Sequence, residues 1–137
     1  MAKAYVLDTS AIFTYTEEEE GIEEVHRLLL QAQRKSIVLF LPFMTLMEAY
    51  YRRWQVAGEN AAKDLLLLLK QLPAQPVEYS EELLLHAGRL KALHAISLGD
   101  AWIAGVAQLK GATLVHKDPE FESLANLIPM LTLPYKR

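Results

Sequence analysis

Short runs rich in β-branched and aromatic residues alternate along this chain with longer stretches of helical periodicity. "KAYVL" is followed by "GIEEVHRLLLQAQR", "SIVLFL" by "TLMEAYYRRWQVAG" and "ENAAKDLLLLLKQL", and "PVEY" by "SEELLLHAGRLKALH" and "GDAWIAGVAQLKG"; "ATLVH" and "PMLTL" close the series. The short runs are apolar on both faces, and strands of that kind separated by helices predict an α/β protein with a parallel sheet covered by helices. Gly58 and Gly111 stand where two helical patterns stop, and Pro73 and Pro76 break the connection into "PVEY".

The 137 residues are the size of one ordinary domain, so 1–137 is read as a single unit without repeats, linkers or low-complexity segments. Hydrophobic residues make up 52% and charged residues 23%, a globular balance, and no apolar run approaches a membrane span. Asp8 interrupts the first apolar run, which argues against a signal peptide, and a cytoplasmic location is the expectation. With no cysteine, any metal must be held by oxygen or histidine. A formal net charge of −3 argues against bulk electrostatic attraction to nucleic acid, although a bound cation or a local basic edge reverses the potential where it matters.

Two runs stand apart. "EEEE", Glu17 to Glu20, reads as an acidic first helical turn favoured by the helix dipole. The five leucines of "DLLLLLK" cannot all face one core, and the excess apolar area points to a second surface, a homodimer or partner interface.

Four carboxylates fall where a solvated face is not expected: Asp8 in "YVLDTSAIF", Glu48 in "FMTLMEAYY", Asp100 in "SLGDAWIAGVA" and Asp118 in "TLVHKDPEF". Each has a local explanation. Asp8 can cap a helix beginning near Ala11; "TLME" and "SLGD" have the spacing of a hydroxyl cap with an acid three residues on; Asp118 before Pro119 resembles a cap ahead of a proline at the first helical position. Glu48 can also be neutralised by Arg52, one turn along.

Capping and catalysis are compatible, and the joint pattern is more informative than any one acid. Residues just after parallel strands and at the starts of the following helices gather in the crevice at the strands' carboxyl ends. Asp8 and Asp118 follow strands directly, while Glu48 and Asp100 open helices, so all four can converge. Clustered carboxylates repel, and the economical compensation is one or two hard divalent cations, Mg²⁺ or Mn²⁺. Such ions activate water and steady charge on a phosphoryl group, which makes phosphodiester hydrolysis the reaction class.

With these residues in view, "VLDTSAI", "TLMEAYY", "SLGDAWIAGVA" and "LVHKDPEF", in that order over nearly the whole chain, resemble the PIN domain, and the compact length is similar to the VapC-type toxins of toxin–antitoxin pairs. The resemblance implies a three-layer α/β/α sandwich with a central parallel sheet. It implies a Mg²⁺- or Mn²⁺-dependent endoribonuclease cutting single-stranded or looped RNA, a homodimer, and a cognate antitoxin whose C-terminal segment enters the acidic groove. Asp8, Glu48, Asp100 and Asp118 match the family's acidic quartet, and Thr9 matches the small or hydroxyl residue beside the first acid. Asp8 and Asp100 are then the foremost metal ligands, Glu48 a ligand or the residue that orients the water, and Asp118 a ligand directly or through water.

His116 departs from the family pattern by standing where many relatives carry Thr or Ser. Two readings are open: contact with the scissile phosphate or a metal, or a partly buried histidine pairing with Asp118. Arg52, Arg53, Lys117, Lys136 and Arg137 are candidate phosphate contacts, and Tyr15, Tyr51 and Trp54 candidate stacking platforms. His26, His86 and His94 lack ligand spacing and read as structural or solvated. A non-catalytic PIN-like module that binds RNA or protein is the main alternative. A receiver-like phosphoryl-transfer domain also places an aspartate after its first strand, but lacks support in a second acid beside Asp8 or a distinct lysine after a late strand.

Overall fold

β1 (Lys3–Leu7) occupies the middle of a five-stranded sheet in the order β3-β2-β1-β4-β5, with every neighbouring pair parallel. The other strands are β2 (Ile37–Pro42), β3 (Gln75–Val77), β4 (Thr113–His116) and β5 (Met130–Thr132). The computed structural model describes residues 3–136. α1 (Thr9–Thr16) and α2 (Ile22–Gln33) link β1 to β2, and α3 (Phe43–Ala57) and α4 (Glu59–Lys70) link β2 to β3. α5 (Glu81–Leu93) and α6 (Leu98–Lys110) then carry the chain back across the sheet to β4, and a 3₁₀ turn (Pro119–Leu124) precedes β5.

Alternation along the strands divides the core in two. Val6 and Leu114 pack with Leu83, Leu90, Ile103 and Val106 of α5 and α6, whereas Leu7 and Val115 pack on the other face with Ile12, Leu28 and Leu69 of α1, α2 and α4. The result is the expected three-layer α/β/α sandwich. α6 is apolar nearly all round because it lies between the sheet and α5. A Cβ on Gly105 would stand 3.1 Å from the Ala87 backbone, so glycine there sets the close approach of α5 to α6.

Several local expectations hold. Asp8, Ser97 and Asp118 are the N-caps of α1, α6 and the 3₁₀ turn. Gly58 and Gly111 end α3 and α6 at φ of 92° and 59°, in the positive region where glycine is preferred. Others are corrected. α3 begins at Phe43, before Thr45, whose buried hydroxyl donates to the Leu7 carbonyl at 3.0 Å, so "TLME" is no capping box. Glu17 to Glu20 form the turn between α1 and α2; the acids in the first turn of α2 are Glu23 and Glu24. Pro76 lies within β3, an edge strand, where the missing N–H is tolerated.

The leucine run splits as its periodicity requires. Leu65 and Leu69 join the core, while Leu67 and Leu68 are 61% and 42% exposed. Leu69→Ala is therefore expected to lower the unfolding free energy by roughly 2–5 kcal/mol and Leu67→Ala by no more than about 0.5 kcal/mol, read from urea denaturation at equal protein concentration.

Candidate active site

The chain runs β1, β2, β3 toward one edge of the sheet and then returns to place β4 on the opposite side of β1. The carboxyl ends of β1 and β4 therefore flank the point where strand order reverses, the position where open parallel sheets form a crevice. The Asp8 N–H donates to the Val115 carbonyl at 3.1 Å and brings these two ends together.

At the end of β1, Asp8 turns into α1 and its Oδ2 accepts from the Ser10 N–H at 3.0 Å and from the Ser10 hydroxyl. The neighbouring hydroxyl serves another acid, since Thr9 Oγ1 donates to Glu48 Oε1 at 2.6 Å. Glu48 reaches this point because Thr45, one turn earlier on α3, is anchored to the end of β1. Its carboxylate lies against Gly99, where any Cβ would collide with it. Gly99 thus lets α3 bring an acid to the first turn of α6.

That first turn holds Asp100, which is buried, its backbone N–H capped by Ser97 Oγ at 3.2 Å. Asp118 Oδ1 accepts from the Glu120 N–H at 2.9 Å, and Glu120 in turn accepts from the Ser97 N–H, joining the 3₁₀ turn to the start of α6. Asp100, Asp118 and Glu120 each present a carboxylate oxygen, all within 4.8 Å of one another. Glu120 is the acid that sequence reasoning passed over. Its position two residues after Asp118, where the turn bends it back toward the crevice, was the available signal.

Electrostatics report how crowded this cup is. Burial pushes the Asp8 carboxyl up to about 6, against hydrogen bonds from Ser10 and Thr9, and the charge of Glu48 adds to the rise. Asp100 is pushed to about 8 by burial first, then by the charge of Asp8, a hydrogen bond shared with Glu120, and the charges of Asp118 and Glu120. Carboxylates so placed need compensation. The donor set is oxygen only, and a Mg²⁺–oxygen length of about 2.1 Å allows ligand oxygens up to roughly 4.2 Å apart. The oxygens of Asp100, Asp118 and Glu120, within 4.8 Å of one another, approach that span, so a small side-chain adjustment would let them hold a hard divalent cation. Asp8 and Glu48 form the adjoining wall.

His116 takes the structural alternative. It is fully buried, Nδ1 accepts from the Asp118 backbone N–H at 3.0 Å, and Nε2 lies 3.2 Å from Thr132 Oγ1. The ring packs edge-on to Phe121, and both nitrogens have partners within the protein. The partner is the backbone of Asp118 and not its carboxylate.

A cleft of about 490 Å³ adjoins the cup, lined in part by Ser10, Phe13, Arg52, Arg53, Asp118 and Lys136. Arg52 stacks over the Phe13 ring at 5.0 Å and makes no pairing with Glu48, whose partner is Thr9. Lys117 is corrected as a nucleic-acid contact: its side chain is 3% exposed, and Nζ donates to the Glu20 carbonyl at 2.6 Å and lies 3.5 Å from Glu19. Lys136 pairs with Glu19 at 2.8 Å while remaining largely exposed, and Arg137 lies outside the described residues. Tyr51 and Trp54 are exposed on α3, whereas Tyr15 packs against the core. His86 Nδ1 lies 2.9 Å from Gln108 Oε1, and His26 is exposed, as expected of histidines without ligand roles.

A family model of the PIN domain matches residues 5–127. The chain belongs to the PIN domain family. Its fold is similar to solved structures of VapBC2 from Rickettsia felis bound to a promoter DNA fragment (18% identity, 96% of this chain and 99% of that one covered, TM-score 0.77). It is also similar to DNA-bound VapBC from Salmonella typhimurium (24% identity, 96% and 98% covered, TM-score 0.75). A third similar structure is VapC20 from Mycobacterium tuberculosis, a toxin that cleaves the sarcin-ricin loop (16% identity, 90% and 95% covered, TM-score 0.67). No curated protein matches the chain.

In this PIN domain the raised acid pKa values fix the sign of a pH effect. Asp8 and Asp100 keep their protons when folded at pH values where the unfolded chain, with carboxyls near 3.8, has lost them. Stability of the metal-free protein therefore falls as pH rises from about 4 toward 8. Asp100→Asn is expected to flatten this decline and to raise the metal-free Tm at pH 8 by about 3–5 °C, measured by calorimetry in chelator.

Proposed function

We propose that this PIN domain is a metal-dependent endoribonuclease that hydrolyses phosphodiester bonds in single-stranded or looped RNA, the toxin of a VapBC-type toxin–antitoxin pair acting in the cytoplasm. The observation that carries this reading is the carboxylate cup at the strand-order reversal, with Asp8 and Asp100 both held above the usual carboxylate range. Similarity to VapBC structures, and to a toxin that cleaves an RNA loop, supports the same reading.

In the proposed reaction Asp100 and Asp118, with Glu120, would hold Mg²⁺ or Mn²⁺, and Asp8 would complete the set from the end of β1. Glu48, oriented by Thr9, accepts a hydrogen bond from the attacking water and aligns it with the scissile phosphate. A divalent ion bound there would supply activation of the water and stabilisation of the charge that develops on the phosphoryl oxygens. Arg52 and Arg53, on the cleft wall, receive the flanking phosphates, and Tyr51 and Trp54 offer faces to unpaired bases. The antitoxin's C-terminal segment competes for the same cleft. Leu67 and Leu68, exposed on α4, belong to the surface covered by a second copy or by the antitoxin.

Total RNA incubated with Mn²⁺ is expected to yield discrete new ends, mapped by sequencing. Cleavage should stop with chelator and fall by at least about 100-fold for Asp8→Asn. RNA left intact by the wild type in Mn²⁺ would favour the binding-module alternative, and continued cutting by the variant would assign the activity to another site. Arg52→Ala with Arg53→Ala is expected to raise the apparent KM for RNA by about tenfold with kcat little changed, since these residues contact substrate away from the reacting bond.

A further inference from the structure

The sequence "DTS" places two hydroxyls after the first acid, and the structure gives each a different carboxylate. Thr9 holds Glu48, while Ser10 turns both its N–H and its O–H onto a single oxygen of Asp8, Oδ2. Two donors from one residue on one oxygen fix the rotation of the carboxylate, so that Oδ1 is the oxygen directed away from Ser10. The hydroxyl is itself constrained: Ser10 Oγ accepts from the Lys117 backbone N–H at 2.8 Å. With a lone pair committed to Lys117, the single hydroxyl proton is aimed at Asp8.

Lys117 is not a free end. Its Nζ is buried against the α1–α2 turn, donating to the Glu20 carbonyl and lying beside the Glu19 carboxylate. Its next neighbour in the chain is Asp118, a member of the acid cluster. A continuous path therefore runs from the α1–α2 turn through Lys117 to Ser10 and Asp8. The path fixes the carboxyl end of β4, and Asp118 with it, relative to the carboxyl end of β1. Asp8 is 3% exposed, so water is poorly placed to replace the hydroxyl.

We propose that Ser10 is a positioning residue: through its hydroxyl bridge between Asp8 and the Lys117 backbone it sets which Asp8 oxygen faces the cation site and holds the acids from β1 and β4 in mutual register. This inference rests on the metal-dependent reading above and goes beyond it, because it gives Ser10 a role exerted through Asp8 and the Lys117 backbone. Residues that orient a ligand in this way typically change metal affinity by about 10–100-fold when removed.

Mn²⁺ binding to the full chain, measured by titration calorimetry and by the EPR signal of free Mn²⁺ at fixed pH, tests it without recourse to cleavage. Ser10→Ala is expected to weaken Mn²⁺ binding by about 10–100-fold and Ser10→Thr, which keeps the hydroxyl, to restore it to within about threefold. In the Asp8→Asn background, adding Ser10→Ala is expected to change affinity by less than about twofold, because Ser10 acts through Asp8. A merely structural role would lower the metal-free Tm and leave that cycle additive. Should Ser10→Ala not fold, Ser10→Cys against Ser10→Thr carries the same comparison, sulfur being a weak donor and acceptor. Wild-type affinity in Ser10→Ala, or an additive cycle, overturns the role of Ser10 while the metal reading stands; absence of Mn²⁺ binding by the wild type overturns both.

Discussion

Burial of mutually repelling carboxylates at the end of a parallel sheet is the constraint around which this site is organised. Asp8, Asp100 and their neighbours are drawn together by a topology that reverses strand order between β1 and β4, and burial raises the cost of charging them. An arrangement of this kind opposes folding of the free chain and favours any state in which a cation is bound. The local hydrogen bonds do not remove the conflict; they fix its geometry.

The contrast between Asp8 and Asp100 shows how. Asp8 receives donors from Ser10, which pull against its desolvation, and its pKa rises to about 6. For Asp100 every principal influence is in the same direction, and the pKa reaches about 8. Glu48 has Thr9 as a donor, and Asp118 the Glu120 N–H. Asp100 is thus the acid with the least internal relief and the most to gain from a cation. The cup is anchored at its rim and uncompensated at its buried centre.

Much of this was legible in the chain. Strand and helix order followed from the alternation of short apolar runs with longer periodic ones, and the meeting of Asp100 with Asp118 followed from where each stood relative to a strand end, with Asp8 near enough to raise the Asp100 pKa. The capping signals at Asp8, Ser97 and Asp118 are real, and at Asp8 and Asp118 they coexist with a place in the cup because a carboxylate has more lone pairs than a cap requires. What stayed illegible depended on contacts far apart in sequence. Thr45 looked like a cap but anchors α3 to β1 across 38 residues, and Lys117 looked like a phosphate contact until the turn at Glu19 and Glu20 closed over it 97 residues away. Glu120 was hidden by the prominence of Asp118; only the fold of the 3₁₀ turn brings it to Asp100 and Ser97.

The burial of Lys117 also bears on the charge balance of the whole edge. A lysine in the crevice itself would neutralise the carboxylates and compete with a divalent ion for them. Here the ammonium is held by the Glu19 carboxylate and the Glu20 backbone carbonyl of the α1–α2 turn, and Lys136 also reaches Glu19. Within the run Glu17 to Glu20, Glu19 is the counter-charge for Lys117, while Glu17, Glu18 and Glu20 are exposed. Only the backbone of Lys117 faces Ser10, as a neutral donor. Arg52 and Arg53 line the cleft beside the cup, where they can meet a polyanion without displacing a metal. The separation of roles, acids at the floor and arginines on the wall, follows from the same requirement that kept the buried centre uncompensated.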